Sequence, residues 1–264
     1  MKQLFILSIS VLAFLPVFSQ QGHDIAVTLK PYKNSYVYLG YYFGKVKALA
    51  DSAMLDSNSN GHFKGYEPLK GGIYFVVSPS KQILLEMLVD SVQNFSISAD
   101  SSNLPSSVKF TGSPENEQFQ QYSAYAAKTG KLISDVSLLY AQAKSKKDSL
   151  LVAFESRKLA DQLQRYRDSI SVIYPNLFLT SLFKAMNEPK IPPASKQPGG
   201  KYDSNYVYHF FKDHYWDGIS FTDDRLVRTP FFEPRLIKYY DNLVTPNADS
   251  IIKETDAMLL ESRT

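Results

Sequence analysis

The hydrophobic pattern of the chain changes its period within residues 109–116, Lys-Phe-Thr-Gly-Ser-Pro-Glu-Asn. Before Gly112 apolar residues alternate with polar ones, which is typical of strands, and after it they recur every three or four residues, which is typical of helices. Ser113 and Pro114 supply the N-cap and the first position of a helix, and an acid follows in its first turn. We therefore predict two domains, one β-rich and one helical: residues 20–112 and residues 113–264.

Short runs rich in Val, Ile, Tyr and Phe, separated by turn residues, fill the sequence before this boundary. Residues 24–32 alternate through Ile25, Val27 and Leu29, as one strand of a half-buried sheet does. The sequence Asn58-Ser59-Asn60-Gly61 is typical of a hairpin, because Asn and Gly accept positive φ. Another run places three tyrosines on one face: Tyr36, Tyr38 and Tyr42. About seven or eight short strands at this spacing predict an antiparallel β-sandwich or a partly open barrel.

Two long amphipathic helices are predicted after the boundary, each with an apolar stripe spaced by three and four residues. The lysine-rich segment 144–149 between them is typical of the tip of a helical hairpin, so we expect the two helices to pack antiparallel. Pro175 ends the second helix. The stripes are Phe119, Tyr122, Ala126, Thr129, Ile133, Val136 and Tyr140, and Val152, Leu159, Leu163, Tyr166, Ile170 and Ile173. The predicted fold class is α+β, an N-terminal sandwich or barrel followed by an all-α helical domain.

A proline- and glycine-rich segment, residues 187–205, interrupts the helical domain. Such composition disfavours regular structure, and a connection of this length is uncommon in a compact domain. A mobile surface loop is the interpretation that we favour, and a binding lid is the alternative. After it, Thr245-Pro246 predicts the start of a last helix that runs through Ile251 and Leu259.

The N terminus has the pattern of a secretory signal. Lys2 precedes an apolar run from Leu4 to Phe18, which is shorter than the roughly 20 apolar residues that span a bilayer. Val17-Phe18-Ser19 fits cleavage by signal peptidase before Gln20. A buried N-terminal helix or strand is the alternative. We predict a signal peptide over residues 1–19, export to the periplasm or cell envelope, and no integral membrane span in the mature chain.

Composition excludes several classes of chemistry. None of the 264 residues is a cysteine, so the chain cannot form a disulfide, a thiolate nucleophile or a cysteine metal site. Removal of the predicted signal would take away Lys2 and leave 28 basic against 26 acidic residues, a net charge of +2. This balance gives no electrostatic reason to expect nucleic acid or an anionic membrane as a partner.

No catalytic motif is evident: the sequence lacks a phosphate loop, a GxGxxG fingerprint, a nucleophile elbow and an HExxH pair. His209 and His214 are five residues apart, so their rings would not converge on one helix. A metal site from these histidines and Asp217 would need a break in that helix, and ordinary packing or surface histidines are the favoured interpretation. Asp223 and Asp224 could be a pair of catalytic acids, but acids are common in the first turn of a helix, and a helix that starts after Thr222 accounts for them. We predict no catalytic residue, no cofactor-binding residue and no metal ligand in this chain.

Residues 214–232 are the densest aromatic and charged stretch and contain the single tryptophan of the chain. One interpretation is a docking surface, since Trp, Tyr and Arg are the usual anchors of interfaces. Its residues would be Tyr215, Trp216, Asp217, Arg225 and Arg228. The two arginines would share one helix face and pair with acids such as Asp217 or Asp224. We favour the alternative of a core with a polar arginine rim, built by Trp216, Phe221, Phe231 and Phe232.

The same stretch resembles the middle region of exported bacterial thioredoxin-like proteins of the redoxin, disulfide-reductase type. The resemblance lies in Tyr215-Trp216-Asp217 and in Phe221-x-Asp223-Asp224-Arg225-Leu226-x-Arg228-Thr229-Pro230-Phe231-Phe232. In that family a β-rich and a helical domain of unknown function precede a redoxin domain. Three segments are similar to the β-rich domain: Tyr38-Leu39-Gly40-Tyr41-Tyr42-Phe43-Gly44, Gly71-Gly72-Ile73-Tyr74 and Phe110-x-Gly112-Ser113-x-Glu115-Asn116.

The resemblance implies a non-catalytic accessory role beside thiol–disulfide chemistry in the cell envelope. The family's redox centre is a CxxC in the redoxin domain, and this sequence contains neither, so no catalytic residue is carried over. We expect the sequence to be the N-terminal portion of a longer protein, with a redoxin domain or another protein as its partner. Two alternatives stay open: a stand-alone binding module that uses the tyrosine-rich face, and a hydrolase without a recognisable motif.

Overall fold

The computed structural model describes residues 22–141 and 145–263. The predicted signal peptide lies outside these residues. Within them, eight strands precede six helices, which confirms the α+β fold, and no helix is long and apolar enough to cross a membrane. The strands are β1 (His23–Lys30), β2 (Tyr36–Phe43), β3 (Val46–Met54), β4 (Asn60–Gly65), β5 (Gly72–Val77), β6 (Ile83–Val89), β7 (Asn94–Asp100) and β8 (Lys109–Thr111). The helices are α1 (Pro114–Ala141), α2 (Lys146–Ile173), α3 (Phe178–Met186), α4 (Ser204–Asp213), α5 (Phe232–Leu243) and α6 (Ala248–Glu261).

The strands form two four-stranded sheets that pack face to face. The first sheet has the order β4-β1-β7-β8 and the second the order β3-β2-β5-β6. In β1 every second residue faces the opposite sheet, so Ile25, Val27 and Leu29 are buried. They share one core with residues of the second sheet such as Val37 and Leu39. The predicted sandwich is therefore present.

Two features depart from the predicted antiparallel arrangement. Strand β1 pairs in parallel with β7, so the first sheet is mixed. The turn predicted at Asn58–Gly61 is present, and its positive φ of 71° falls at Ser59. The strands on either side of this turn belong to different sheets, because β4 pairs with β1 and not with β3. The turn therefore connects the two sheets and is not the tip of a hairpin.

Helices α1 and α2 pack antiparallel, as the spacing of their apolar stripes predicts. Helix α1 begins at Pro114, and the Ser113 hydroxyl accepts a hydrogen bond from the backbone N–H of Asn116 at 3.4 Å, which confirms the predicted N-cap. The ring of Tyr122 lies 6.1 Å from that of Tyr166 across the helix pair. Of the predicted tip, residues 144–149, Lys144 lies outside the described residues, and helix α2 already begins at Lys146.

The outer face of the second sheet packs against the helices. A second core joins Ile73, Phe75 and Leu88 of this face with residues of α1, α2 and α3. Tyr42 of the tyrosine-rich face also lies in this core, whereas Tyr36 is exposed. The sandwich and the helical domain are therefore continuous through a buried apolar interface.

Two local predictions in the helical domain are wrong. Residues 223–228 do not form a helix; they turn and include one short 3-10 turn at Leu226–Arg228. The last helix is capped by Asn247, whose Oδ1 accepts a hydrogen bond from the Ser250 N–H at 2.8 Å, and not by Thr245. In both places side-chain hydrogen bonds offered by neighbouring Asp or Asn residues compete with a helical backbone.

Gln197 organises the segment predicted as a loop over residues 187–205. Its Nε2 donates to the Pro192 carbonyl at 2.8 Å, and its Oε1 accepts from the Asp203 N–H at 3.0 Å. Helix α4 begins at Ser204, inside the predicted loop. The segment therefore has a defined path in spite of its proline content, and its mobility stays a prediction.

Candidate functional site

Four sequence segments meet where the second sheet joins the helical domain: residues 38–44, 71–74, 110–116 and 221–232. Each of the four contributes at least one residue to the contacts between the two parts, whereas Tyr215, Trp216 and Asp217 lie elsewhere. We call this region the joint and define it by Gly44, Gly71, Gly72, Glu115, Asn116, Arg225 and Arg228. Residues that are far apart in the sequence thus share one structural task.

Asn116 fixes the first turn of α1 to strand β6, which is an edge strand of its sheet. Its Oδ1 accepts from the Leu88 N–H at 2.7 Å, and its Nδ2 donates to the Leu88 carbonyl at 2.8 Å. The Asn116 side chain is buried, so loss of these bonds would leave buried backbone groups unsatisfied. The amide therefore completes the hydrogen bonding that this edge would otherwise lack.

Two consecutive glycines let two arginines approach the start of β5. The Arg225 Cγ lies 2.7 Å from the position that a Cβ on Gly71 would occupy, and the Arg228 Cβ lies 2.5 Å from that of Gly72. A larger residue at either position would push the two surfaces apart. In this space the Arg228 Nε donates to the Gly71 carbonyl at 2.5 Å, and its Nη2 donates to Asp224 at 2.5 Å.

Arg225 connects the sandwich with the helical domain through charged hydrogen bonds. Its Nη1 donates to Asp90, just after β6, at 2.8 Å, and its Nε and Nη2 donate to Asp223 at 2.7 and 2.8 Å. The guanidinium also lies 4.8 Å from the centre of the Phe178 ring. Hydrogen bonding to Asp223 raises the pKa of Arg225. Burial alone would raise the pKa of Asp223, but the guanidinium outweighs it and holds that pKa below its usual value.

Glu115 caps helix α3, which has no capping side chain of its own. The residue at the N-cap of α3, Leu177, makes no side-chain hydrogen bond. Instead the Glu115 Oε1 accepts from the Leu179 N–H at 2.8 Å. Burial raises the pKa of Glu115, while the hydrogen bond from Leu179 opposes that rise. Glu115, which lies in the first turn of α1, therefore also accepts a hydrogen bond from a free backbone N–H in the first turn of α3.

The turn between β2 and β3 makes the last contact of the joint. The Gly44 N–H donates to the Val227 carbonyl at 3.1 Å, and the Lys45 N–H donates to Glu233 at 2.6 Å. Gly44 has a φ of 56°, and the position of its Cβ would lie 2.0 Å from the Glu233 Oε2. The backbone conformation therefore favours glycine, and a Cβ here would displace the Glu233 carboxylate from the Lys45 N–H.

A cleft of about 820 Å³ lies between α4 and α6 and is the second candidate site. Aromatic and charged side chains line it together, among them Tyr208, His209 and Lys253. The single tryptophan of the chain, Trp216, contributes to its wall and meets the Phe221 ring edge to face at 5.2 Å. Most of the lining residues are polar or charged, which suits a polar ligand better than an apolar one.

Glu254 lies at the centre of a hydrogen-bonded group in this cleft. The Lys212 Nζ lies 2.7 Å from its Oε1, and the Tyr239 hydroxyl donates to its Oε2 at 2.7 Å. Burial raises the pKa of Tyr239, and Glu254 adds to that rise. Burial alone would raise the pKa of Glu254, but the hydrogen bonds from Lys212 and Tyr239 hold it below its usual value. The carboxylate is therefore charged at neutral pH, which favours binding over proton transfer.

Arg235 anchors the aromatic cluster beside the cleft. It is buried, and its Nη1 donates to the Ala185 carbonyl at 2.9 Å while its Nη2 donates to the Tyr215 carbonyl. Its guanidinium lies 4.6 Å from the Tyr215 ring centre and 5.6 Å from that of Trp216. Burial lowers the pKa of Arg235. The carbonyl at the C-terminal end of α3 and the aromatic rings provide the negative potential that stabilises this charge.

The five residues predicted as one docking surface lie in three different environments. Tyr215 is buried, with 1% of its surface exposed, whereas Trp216 lines the cleft and Asp217 lies at its rim. Arg225 and Arg228 belong to the joint, and Arg228 is buried there. They do not form a continuous surface, because Tyr215 and Arg228 are buried. Trp216 packs with Tyr215 in one apolar cluster, whereas Phe231 and Phe232 pack against the core shared with the sheet.

The ion pairs of this stretch differ in part from those predicted. Asp224 pairs with Arg228 as expected, but the Asp217 Oδ2 lies 2.7 Å from the Nδ1 of His214 and not near an arginine. Within the part of the chain that the structure describes, no group of three His, Asp or Glu side chains is placed to hold a metal ion.

Sequence reasoning did not find Arg235, or the contact between Lys212 and Glu254. These residues lie in short amphipathic segments without a motif, and the two partners of the ion pair come from different helices. Their proximity depends on how α4, α5 and α6 pack, which no local pattern encodes. No known protein family, no curated protein and no solved structure matches this chain.

Proposed function

We propose that this chain is the non-catalytic accessory portion of an exported thioredoxin-like thiol–disulfide protein, which positions a redoxin domain or its client in the cell envelope. The observation that carries the proposal is the convergence at the joint of four of the five segments quoted for the resemblance. Contacts of this kind fix the orientation of the sandwich relative to the helices, which a positioning module requires. The chain contains no thiol, so the redox step belongs to another domain or protein.

Recovery of the native protein from cell envelopes tests this proposal. An antibody raised against the purified chain would isolate the protein, and intact-mass measurement with peptide mapping would define it. We expect either a polypeptide that continues into a CxxC-containing redoxin domain or a stable complex with such a protein. Recovery of a cysteine-free polypeptide without a thioredoxin-fold partner would refute the proposal. Purified chain alone is expected to be inactive in an insulin-disulfide reduction assay.

A stand-alone envelope binding module is the second candidate, and the cleft between α4 and α6 favours it. Because Trp216 is the single tryptophan and lies in the cleft wall, its fluorescence reports on this site alone. Titration with a panel of peptides and oligosaccharides should give a saturable change in emission if the cleft binds one of them. Lys212→Ala, which disturbs the charged wall, should weaken that binding, whereas Lys33→Ala, in the turn between β1 and β2 of the sandwich, should not. A flat titration with every class would count against this candidate.

A further inference from the structure

The cleft between α4 and α6 carries both signs of charge on each of its two helical walls. Helix α4 places Lys212 beside Asp213, and α6 places Lys253 beside Glu254. Lys212 and Glu254 form an ion pair between the two helices at 2.7 Å, whereas Asp213 and Lys253 are exposed. A ligand in the cleft therefore meets hydrogen-bond donors and acceptors in close succession on the same wall.

This mixture of charges disfavours an ion as the ligand. A carboxylate only accepts hydrogen bonds, and an ammonium group only donates them. An anionic ligand would face Asp213, Asp217 and Glu254 on the walls, and a cationic ligand would face Lys212 and Lys253. Either ligand would lie close to charges of its own sign, and their repulsion would lower its affinity. The walls therefore favour a neutral ligand whose polar groups both donate and accept.

Two aromatic rings give the cleft an apolar part. Trp216 and Phe221 line it and meet edge to face, with their ring centres 5.2 Å apart. Neither side chain is fully buried, so both offer surface to the cleft. A pyranose ring with equatorial substituents has C–H groups on its faces and hydroxyls around its edge. The negative face of an aromatic ring attracts such C–H groups, and the hydroxyls then point towards polar neighbours.

The usual modes of peptide recognition fit this cleft less well. Its walls are helices and the segments that connect them, so they offer no strand edge to an extended peptide. Most of the residues that line it are polar, whereas an amphipathic helix requires an apolar groove. No arginine is among the described residues of the lining, so an arginine cluster for an acidic motif is not present there. A volume of about 820 Å³ is typical of sites for small molecules.

We propose that the cleft binds a neutral oligosaccharide, with one sugar ring on the aromatic pair and hydroxyls bonded to the charged side chains of the walls. A hydroxyl donates one hydrogen bond and accepts two, so an uncharged ligand can satisfy both carboxylate and ammonium groups. This inference rests on the second candidate function, the binding module, and names the class of its ligand. It does not depend on the proposed association with a thioredoxin-like protein.

Titration with defined tetrasaccharides tests the inference. Cellotetraose and chitotetraose are the probes, because their equatorial substituents leave the faces of each ring apolar. A blocked tetra-alanine peptide, spermidine and citrate represent peptide, cationic and anionic ligands. We expect at least one tetrasaccharide to give a saturable change in Trp216 emission and a matching isotherm in titration calorimetry. Because this ligand is uncharged, its affinity should change by less than about twofold between low salt and about 0.5 M sodium chloride.

Two variants at exposed positions of the walls identify the site. Asp213→Ala and Lys253→Ala each remove one partner of the hydroxyls, and each should lower the affinity by about tenfold. The matched controls are Asp161→Ala and Lys158→Ala on α2, which contributes no residue to the cleft. They should bind as the original chain does. All four side chains are exposed, so we expect every variant to fold, and circular dichroism verifies this.

The possible results separate the inference from the binding module on which it rests. Binding of the blocked peptide with a flat response to both tetrasaccharides would overturn the inference and keep the module. Stronger binding of spermidine or citrate, with the salt dependence of a charged ligand, would do the same. Tetrasaccharide binding that neither Asp213→Ala nor Lys253→Ala weakens would place the sugar elsewhere and overturn the inference. A flat titration with every probe would count against both.

Discussion

The two ends of helix α1 are held in opposite ways. Ser113 caps its first turn, and Asn116 bonds that turn to the edge strand β6. The first half of the helix also packs in the core between the second sheet and the helices. Its last turns present Leu138 and Leu139 to solvent. Directional hydrogen bonds set the position of the first end. The leucines of the last turns make no such contacts and are exposed. The first half of α1 is therefore held by the joint and the shared core, whereas the side chains described beyond Thr129 in this helix are not buried.

Matched phenylalanine substitutions should separate the two ends most strongly. Phe183 is 1% exposed in the core between the second sheet and the helices, whereas Phe154, near the start of α2, is 64% exposed. We expect Phe183→Ala to lower the free energy of unfolding by about 3–5 kcal/mol, because it leaves a cavity. Phe154→Ala should change it by less than about 0.5 kcal/mol. Urea unfolding measured by circular dichroism gives both values, and similar losses for the two variants would contradict the comparison.

Matched glycine substitutions should have effects of opposite sign. Gly72→Ala places a Cβ 2.5 Å from the Arg228 Cβ and 3.0 Å from its carbonyl oxygen, so we expect a loss of about 1–3 kcal/mol. Gly130→Ala meets no atom and lies inside a helix, so we expect a gain of about 0.5–1 kcal/mol. Thermal and urea unfolding would measure both. A stabilising Gly72→Ala would mean that the joint is not close-packed.

Glu115 allows a finer test of the joint, through pH. Glu115→Gln keeps an acceptor for the Leu179 N–H and removes the buried charge, so at pH 7 the variant should be equally or slightly more stable, within about 1 kcal/mol. Since the pKa of Glu115 is raised in the folded state, folding favours its protonated form, and the cost of its ionisation disappears as pH falls through the folded pKa. The difference between the variant and the original chain should therefore shrink between pH 7 and pH 4.

The control for this prediction is Glu115→Leu. It removes the acceptor, so α3 loses its cap and stability should fall by about 1–2 kcal/mol. Urea titrations at a series of pH values measure all three proteins. A difference between Glu115→Gln and the original chain that grows towards acid would mean that the carboxylate is stabilised by its surroundings.

Local patterns predicted the elements of the fold well. Ser113-Pro114 marks the start of α1, the alternation in residues 24–32 marks β1, and the apolar stripes mark the antiparallel helices. Each of these signals depends on neighbours within one or two turns of chain. The α+β order follows from them, because a change of period in the sequence is a change of structure type.

Pairings between distant residues could not be predicted in the same way. Arg225 and Arg228 were placed on a helix with nearby acids, yet one reaches Asp90 and the other the Gly71 carbonyl. The parallel pairing of β1 with β7 has no local signature either. In these cases tertiary packing determines which residues pair. Residues close in sequence can therefore end up in different places: Trp216 lines the cleft, whereas Arg225 lies at the joint.

The position of β1 has a consequence for the order of folding. It is an inner strand of its sheet, between β4 and β7, and its parallel partner runs to Asp100. Until Asp100 has been synthesised, β1 can pair only with β4. A two-stranded ribbon of this kind is only marginally stable in water. Closure of the sandwich therefore waits for a long-range contact, and such contacts form slowly.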